Sequence, residues 1–206
     1  MTLSQRVQNK ARFLIQIFGT RKTKEALWDH EFARGKWARL DETSGDFVYS
    51  FIEEWAHGGS ILDLGCGPGN TASELRPEAF EKYTGVDISS IAIERATARS
   101  AANAQSQKVH FVQSDLLTYE PTEEFNVILF RESICYVAMN KIRSLLIRYA
   151  KYLKRESVFI VRVWSTSGRY KKIVDLLETH FEMIDMKASP TSPSLVLVFR
   201  PRGHRE

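Results

Sequence analysis

ILDLGCGPGN occupies residues 61–70: a short apolar run carrying Asp63, which then breaks into glycines at 65, 67 and 69 with Pro68 between them. An apolar run of this length stopped by glycine reads as a buried strand, and three glycines directly after it read as a tight turn into a helix. Glycine lets a backbone turn with positive φ or pass close to a ligand, and the free amides of the helix start beyond offer hydrogen bonds to a polar or anionic group. The turn therefore predicts a ligand site at the carboxyl end of a strand in an α/β sheet.

Working outward, short β-rich runs alternate with longer helical ones. Strands are predicted over 60–64, 82–87, 108–113, 125–130 and 157–163, and helices over 70–76, 89–104, 139–154 and 169–180. That rhythm predicts a parallel sheet with helices on both faces. The chain then runs through FEMIDMKA and SLVLVFR, separated by SPTSP, which predicts a hairpin adding one antiparallel strand at the sheet edge. Upstream, residues 24–59 read as two helical stretches separated near Gly35 and stopped by Gly58-Gly59.

Three acids sharpen the glycine signal. The spacing is GxGxG rather than the GxGxxG of dinucleotide binders, and Asp63 stands two residues before the first glycine. Asp87 ends the second strand, 22 residues after Gly65, where a carboxylate can accept both hydroxyls of a ribose. Asp115 ends the third strand, placed to meet an adenine edge.

On these residues the chain resembles the class I S-adenosylmethionine-dependent methyltransferases over about residues 60–200. The resemblance implies a Rossmann-like α/β fold: a mostly parallel seven-stranded sheet with a C-terminal antiparallel hairpin strand and N-terminal cap helices. It implies S-adenosyl-L-methionine as cofactor. Gly65, Cys66 and Gly67 would pass under its methionine and ribose portions, Asp87 would bind the ribose hydroxyls, and Asp115 with Leu116 would hold the adenine. Asp63, Asn70, Ile88, Arg131 and Trp37 complete the expected cofactor set. FNVILFRESICYV, residues 125–137, resembles the family motif at the fourth strand. It carries Arg131-Glu132 where an aspartate or an Asn-Pro-Pro-Tyr run is often seen, which counts against adenine-N6 methylation of nucleic acid. WDHEFARGKWARLDE, residues 28–42, resembles the cap of small-molecule members, making Trp28, Trp37 and Arg39 candidates for contact with the cofactor's methionine end or the acceptor. The alternative is that Trp28, Phe32 and Trp37 bury the cap against the sheet.

Methyl transfer from a sulfonium asks mainly for positioning, plus a base if the acceptor is a hydroxyl or an ammonium. Glu132, after the fourth strand, is the expected base, against an ion pair with Arg131 or capping of the next helix. Tyr136 is expected to orient the acceptor or to pack the loop. His30, between Asp29 and Glu31, is a candidate catalytic group that those acids would favour in its protonated form, against a plain surface histidine. His57, His110 and His180 need no special role, and Trp164 either walls the pocket or packs. Cys66 sits where a small side chain is needed, and Cys135 has no histidine partner in sequence, so neither is expected to be a nucleophile.

With 206 residues and 43% hydrophobic content, a single domain is expected over 1–206, its cap at 1–59 and its cofactor-binding core at 60–206. No transmembrane run or secretory leader is evident, which makes the cytoplasm the expected compartment. Two distant cysteines suggest neither a disulfide framework nor a metal site. Residues 1–24 carry six of the 29 basic residues and no acid, leaving 23 bases against 25 acids elsewhere. Val7, Ala11, Leu14 and Phe18 fall there at helical spacing, so the arm reads as an amphipathic helix lying on the domain as a lid, on an anionic membrane or on nucleic acid, or as a transit peptide. The leading expectation is methylation of oxygen or nitrogen on a small-molecule acceptor. The alternatives are an RNA or protein methyltransferase using the basic arm, a nicotinamide-dependent oxidoreductase, and a silent cofactor-binding module. A homodimer stays open, and nucleic acid is disfavoured because no aromatic-interleaved basic patch is present.

Overall fold

A computed structural model describes residues 3–38, 45–101 and 106–203. Three helices, α1 (Leu3–Phe18), α2 (Arg21–Ala33) and α3 (Val48–Ala56), precede the sheet. The sheet elements follow as β1 (Ser60–Leu64), α4 (Asn70–Glu74), β2 (Lys82–Asp87), α5 (Ser90–Ala101), β3 (Val109–Gln113), β4 (Phe125–Arg131), α6 (Met139–Ala150), β5 (Leu153–Val163), α7 (Gly168–His180), β6 (Phe181–Ala188) and β7 (Leu195–Pro201). The seven strands run in the order β3-β2-β1-β4-β5-β7-β6, parallel from β3 to β5 and antiparallel at β7. This is the Rossmann-like arrangement with its reversed hairpin strand. The hairpin does not append β7 at the edge, however: β7 inserts between β5 and β6, where both sides of its apolar run are hydrogen-bonded and buried, and the more polar β6 becomes the edge.

Strand periodicity sorts the core. Leu62, Leu64, Ile128, Phe130, Phe159 and Val161 face α6 and α7, which contribute Ile142, Leu146, Tyr149, Ile173 and Leu177. Ile61, Tyr83, Val127, Leu129, Val158 and Ile160 face α3, which buries Val48, Phe51 and Ile52. Asp63 lies on this second face beside Ile61, so a carboxyl enters an otherwise apolar layer at the point where β1 reaches the glycine turn.

Most predicted boundaries fall within a residue or two. The largest departure is at 139–154, where the helix stops at Ala150 and β5 begins at Leu153. Residues 150–156 have good helix formers and no glycine or proline. Pairing of Leu153 with Phe125, before a bulge that re-registers Val158 with Val127, overrides that local preference. Helix α2 starts at Arg21 rather than Lys24 because the Thr20 hydroxyl accepts from the Thr23 amide and caps it. The predicted helix over 89–104 is described to Ala101, and Arg39 lies outside the described residues. Among the described residues no helix is long and apolar enough to cross a membrane.

Candidate active site

A cavity of about 680 Å³ opens at the carboxyl ends of β1, β2, β3, β4 and β5, under a roof of α1 and α2. That volume is in the range of pockets holding drug-sized ligands.

The floor is the glycine turn. The Gly65 and Cys66 amides donate to the Val86 carbonyl at 2.7 and 3.1 Å, fastening the turn to β2. All three glycines have positive φ, but they serve different ends. A Cβ on Gly65 would lie 2.4 Å from the Ser133 Cβ, because the Ser133 hydroxyl reaches across to donate to the Leu64 carbonyl. A Cβ on Gly69 would meet Ala96 of α5 at 2.9 Å. Gly67 alone faces open space, its nearest neighbour being the Phe32 ring at 3.9 Å, so the backbone there lies bare beneath the roof.

Both oxygens of Asp87 are engaged, one by the Gly67 amide and the other by the Ser89 amide, each at 2.9 Å. Burial lifts its carboxyl to about 6 against the pull of those two amides. Asp63 is also lifted to about 6 by burial, while the Tyr83 hydroxyl, donating at 2.5 Å, opposes the rise. Asp115 is buried on the cavity wall and caps its own loop by accepting from the Leu117 amide at 2.8 Å. Ile88, Leu116 and Asn70 line the same half. Burial pushes the Cys66 thiol well up and the Cys135 thiol up to about 12, so both stay protonated at neutral pH.

The opposite half gathers two acids and two arginines. Arg131 and Arg162 are register partners on adjacent parallel strands, so two cations stand side by side. Asp46, just before α3, lies 3.4 Å from one guanidinium and 3.3 Å from the other and offsets them. Glu132 pairs with Arg162 at 2.5 Å rather than with Arg131, because register brings Arg162 across from the end of β4 while Arg131 turns towards Asp46 and the Tyr49 ring. Glu132 sits at φ 59°, a left-handed conformation that is strained for a non-glycine residue, and burial pushes its carboxyl up against the pull of Arg162. Tyr136 also lines the cavity, and Trp28 of α2 meets it edge-on at 4.8 Å. The Trp164 ring, half exposed under the Arg162 guanidinium, stands at the rim.

The roof hangs on side chains. Glu31 accepts from Arg12 of α1, from Lys36 at 3.0 Å and from the Trp37 indole at 3.0 Å, which holds Trp37 against Trp28. The pull of these donors outweighs burial and lowers the Glu31 carboxyl. Asp29 accepts from the hydroxyls of Ser89 and Ser90 and from the Ile91 amide, an acid at the N-terminus of α5 supplied from another helix. His30 stands apart from these engagements: its flanking acids point to other partners, and its imidazole is exposed and not among the residues lining the cavity. His57, His110 and His180 are likewise exposed.

The lining residues that were not anticipated include Gln16, Lys24, Asp46 and Arg162. Gln16 is 2% exposed, and its amide nitrogen has no hydrogen-bond partner among the described residues. Lys24 is buried beside Asp115, and desolvation lowers its ammonium. Arg162 had a readable signal, a charge inside an apolar strand; Gln16 had only its place on an amphipathic helix.

A family description for a methyltransferase domain matches residues 13–193. A methyltransferase from Geobacillus sp. (strain WCH70) is 32% identical over 124 residues, covering 58% of this chain and 49% of that protein. The ubiquinone biosynthesis O-methyltransferase of Rickettsia conorii (strain ATCC VR-613 / Malish 7) is 30% identical over 112 residues, 54% of this chain and 36% of that one. The chain thus spans half or less of the length of these curated relatives. Among solved structures, the N-methyltransferase NodS of Bradyrhizobium japonicum WM9, in complex with S-adenosyl-L-homocysteine, superposes with a TM-score of 0.62 at 16% identity, covering 75% of this chain and 86% of that one. At that identity the likeness speaks for the fold.

Proposed function

The chain belongs to the methyltransferase-domain family, and from that membership we propose that it transfers the methyl group of S-adenosyl-L-methionine to an oxygen or nitrogen of a small-molecule acceptor. The observation that carries this reading is one cavity with two unlike halves: bare glycine backbone and strand-end acids on one side, Glu132 and an aromatic wall on the other.

The residues fit the cofactor. Gly67 leaves a cradle that any side chain would fill, and the buried Gln16 amide lacks an acceptor among the described residues, one that a ligand in the cavity would provide. Asp87, with remaining lone pairs on both oxygens, would hold the ribose hydroxyls, and Asp115 and Leu116 the adenine. Arg131, Asn70, Ile88, Cys66 and Trp37 would complete the surround. When bound, the cofactor supplies a methyl group already activated on a sulfonium, so the chain's own work is to orient the acceptor and take its proton. Glu132 would take that proton: it is strained, its carboxyl is raised by burial, and it is held in place by Arg162. Tyr136 and Trp28 would pack the acceptor. The closed roof, with Gln16 buried over the cavity, favours a small acceptor over RNA or a protein.

Thermal shifts with S-adenosylhomocysteine and with NAD test the cofactor. A ligand at about 100 times its dissociation constant should stabilise the chain by roughly 2.7 kcal/mol. A shift with NAD alone rejects the reading. With an acceptor found by screening small alcohols, phenols and amines, Glu132→Gln should lower kcat about 10²-fold or more with cofactor affinity kept. An unchanged kcat removes Glu132 as the base.

A further inference from the structure

Helix α1 is amphipathic in the reverse of the usual sense. On its inner side Arg12 pairs with Glu31, Gln16 lines the cavity and Ile17 is buried, while Val7, Leu14 and Phe18 point away from the body at 62%, 47% and 71% exposure. At about 100° per residue these three and Ala11 form one stripe, and Gln16 lies about 180° round the helix from Val7. Phe13 and Ile15, on either side, are also exposed. The surrounding side chains Arg6, Lys10, Arg21 and Lys22 are exposed, and residues 1–24 contain no acid. Among the described residues this face stays exposed.

We propose that the outer face of α1 docks on an anionic lipid bilayer, with Val7, Leu14 and Phe18 inserted at the headgroup boundary and the flanking lysines and arginines on the lipid phosphates. Charge decides the occupant. A second copy seated on this stripe would bring the same cations together with no acid in the segment to offset them, whereas an anionic surface answers both the apolar stripe and its cations. A helix of 16 residues, about 24 Å long, lies flat in such an interface without crossing it. Because the inner residues of the same helix roof the cavity, docking would hold that roof against the membrane. This inference goes beyond methyl transfer and does not depend on it.

The test is flotation of the full chain with vesicles of phosphatidylcholine alone and with about 30% phosphatidylglycerol. The expected result is binding to the anionic vesicles, weakened in high salt, and reduced at least about tenfold by the double change Leu14→Glu and Phe18→Glu with the melting temperature unchanged. Phe18→Leu, which keeps the apolar face, should retain binding. Equal binding to both vesicle types, no binding, or unaltered binding by the double variant each overturns the proposal. So does a concentration-dependent dimer in light scattering that the double variant abolishes without any vesicle binding, or binding of an RNA oligonucleotide in place of vesicles.

Discussion

The floor of the cavity is fastened mainly by backbone groups, its roof by charged side chains. Below, the amides of Gly65, Cys66 and Gly67 lock the turn to Val86 and Asp87. Above, α1 meets α2 through Arg12 and Glu31, and α2 meets α5 through Asp29. Backbone bonds in a sheet open only when the sheet does, whereas a handful of side-chain pairs across two helices can part without unfolding the core. A preformed floor beneath a separable roof is what a site needs if it is to admit a ligand and then exclude water.

The contrast is broken most severely at Gly65. A valine there would need the left-handed backbone at φ 85° and would drive its Cβ into Ser133, so Gly65→Val should cost about 3–5 kcal/mol and abolish cofactor binding. Thermal melting and a cofactor thermal shift measure both. A variant that melts like the parent would mean that the floor is not rigid.

Asp87 comes next. An ionised carboxylate is the better acceptor for hydroxyls, so cofactor affinity should fall as pH drops through about 6, and Asp87→Asn should be weaker by about 10–100-fold at pH 8 and flat across that range. Stability moves the other way. Because burial raises the folded-state value above the ordinary 3.8, the stability held by this group is full at low pH and lost as pH rises through about 6. The parent's melting temperature minus the variant's, taken with its sign, should therefore be larger at pH 5 than at pH 7.5. A signed difference that falls on acidification would show that Asp87 is not raised by burial.

The floor was legible in the sequence because it is local. A strand, its terminal acid and glycines with positive φ are written within ten residues, and Asp87 and Asp115 end the neighbouring strands. The reversed hairpin was legible too, since two strand-like runs lie around SPTSP, although its insertion between β5 and β6 depends on which run is apolar on both faces. The roof was legible as helices carrying Trp28 and Trp37, but not in how it is fastened. Nothing in the spacing of Arg12 and Glu31, or of Asp29 and Ser89, announces that they meet, and the partner of Glu132 is fixed by strand register rather than by its neighbour Arg131.

Glu31→Gln tests the roof itself. It removes the charge that holds Arg12 and Lys36 while keeping an acceptor for Trp37, and the loss should be about 1–2 kcal/mol. Most of that loss should fall locally, as faster hydrogen exchange in α1 and α2 with β1 and β4 unchanged. Equal acceleration in the strands would mean that roof and floor open together.

The smallest effect is expected at His30, and it carries the sharpest contrast with sequence logic. A histidine between two acids invites a catalytic reading, yet successive residues on a helix point about 100° apart, so neighbours in sequence rarely share an environment. Asp29 turns to the start of α5 and Glu31 to α1, which leaves His30 facing solvent between them. His30→Ala should change stability by within about 0.5 kcal/mol and leave turnover within about twofold, alanine being the better helix former. A tenfold loss of kcat at unchanged cofactor affinity would instead require the roof to rearrange so that α2 turns this face inward, and the side-chain fastening above the cavity would then be the resting state rather than the working one.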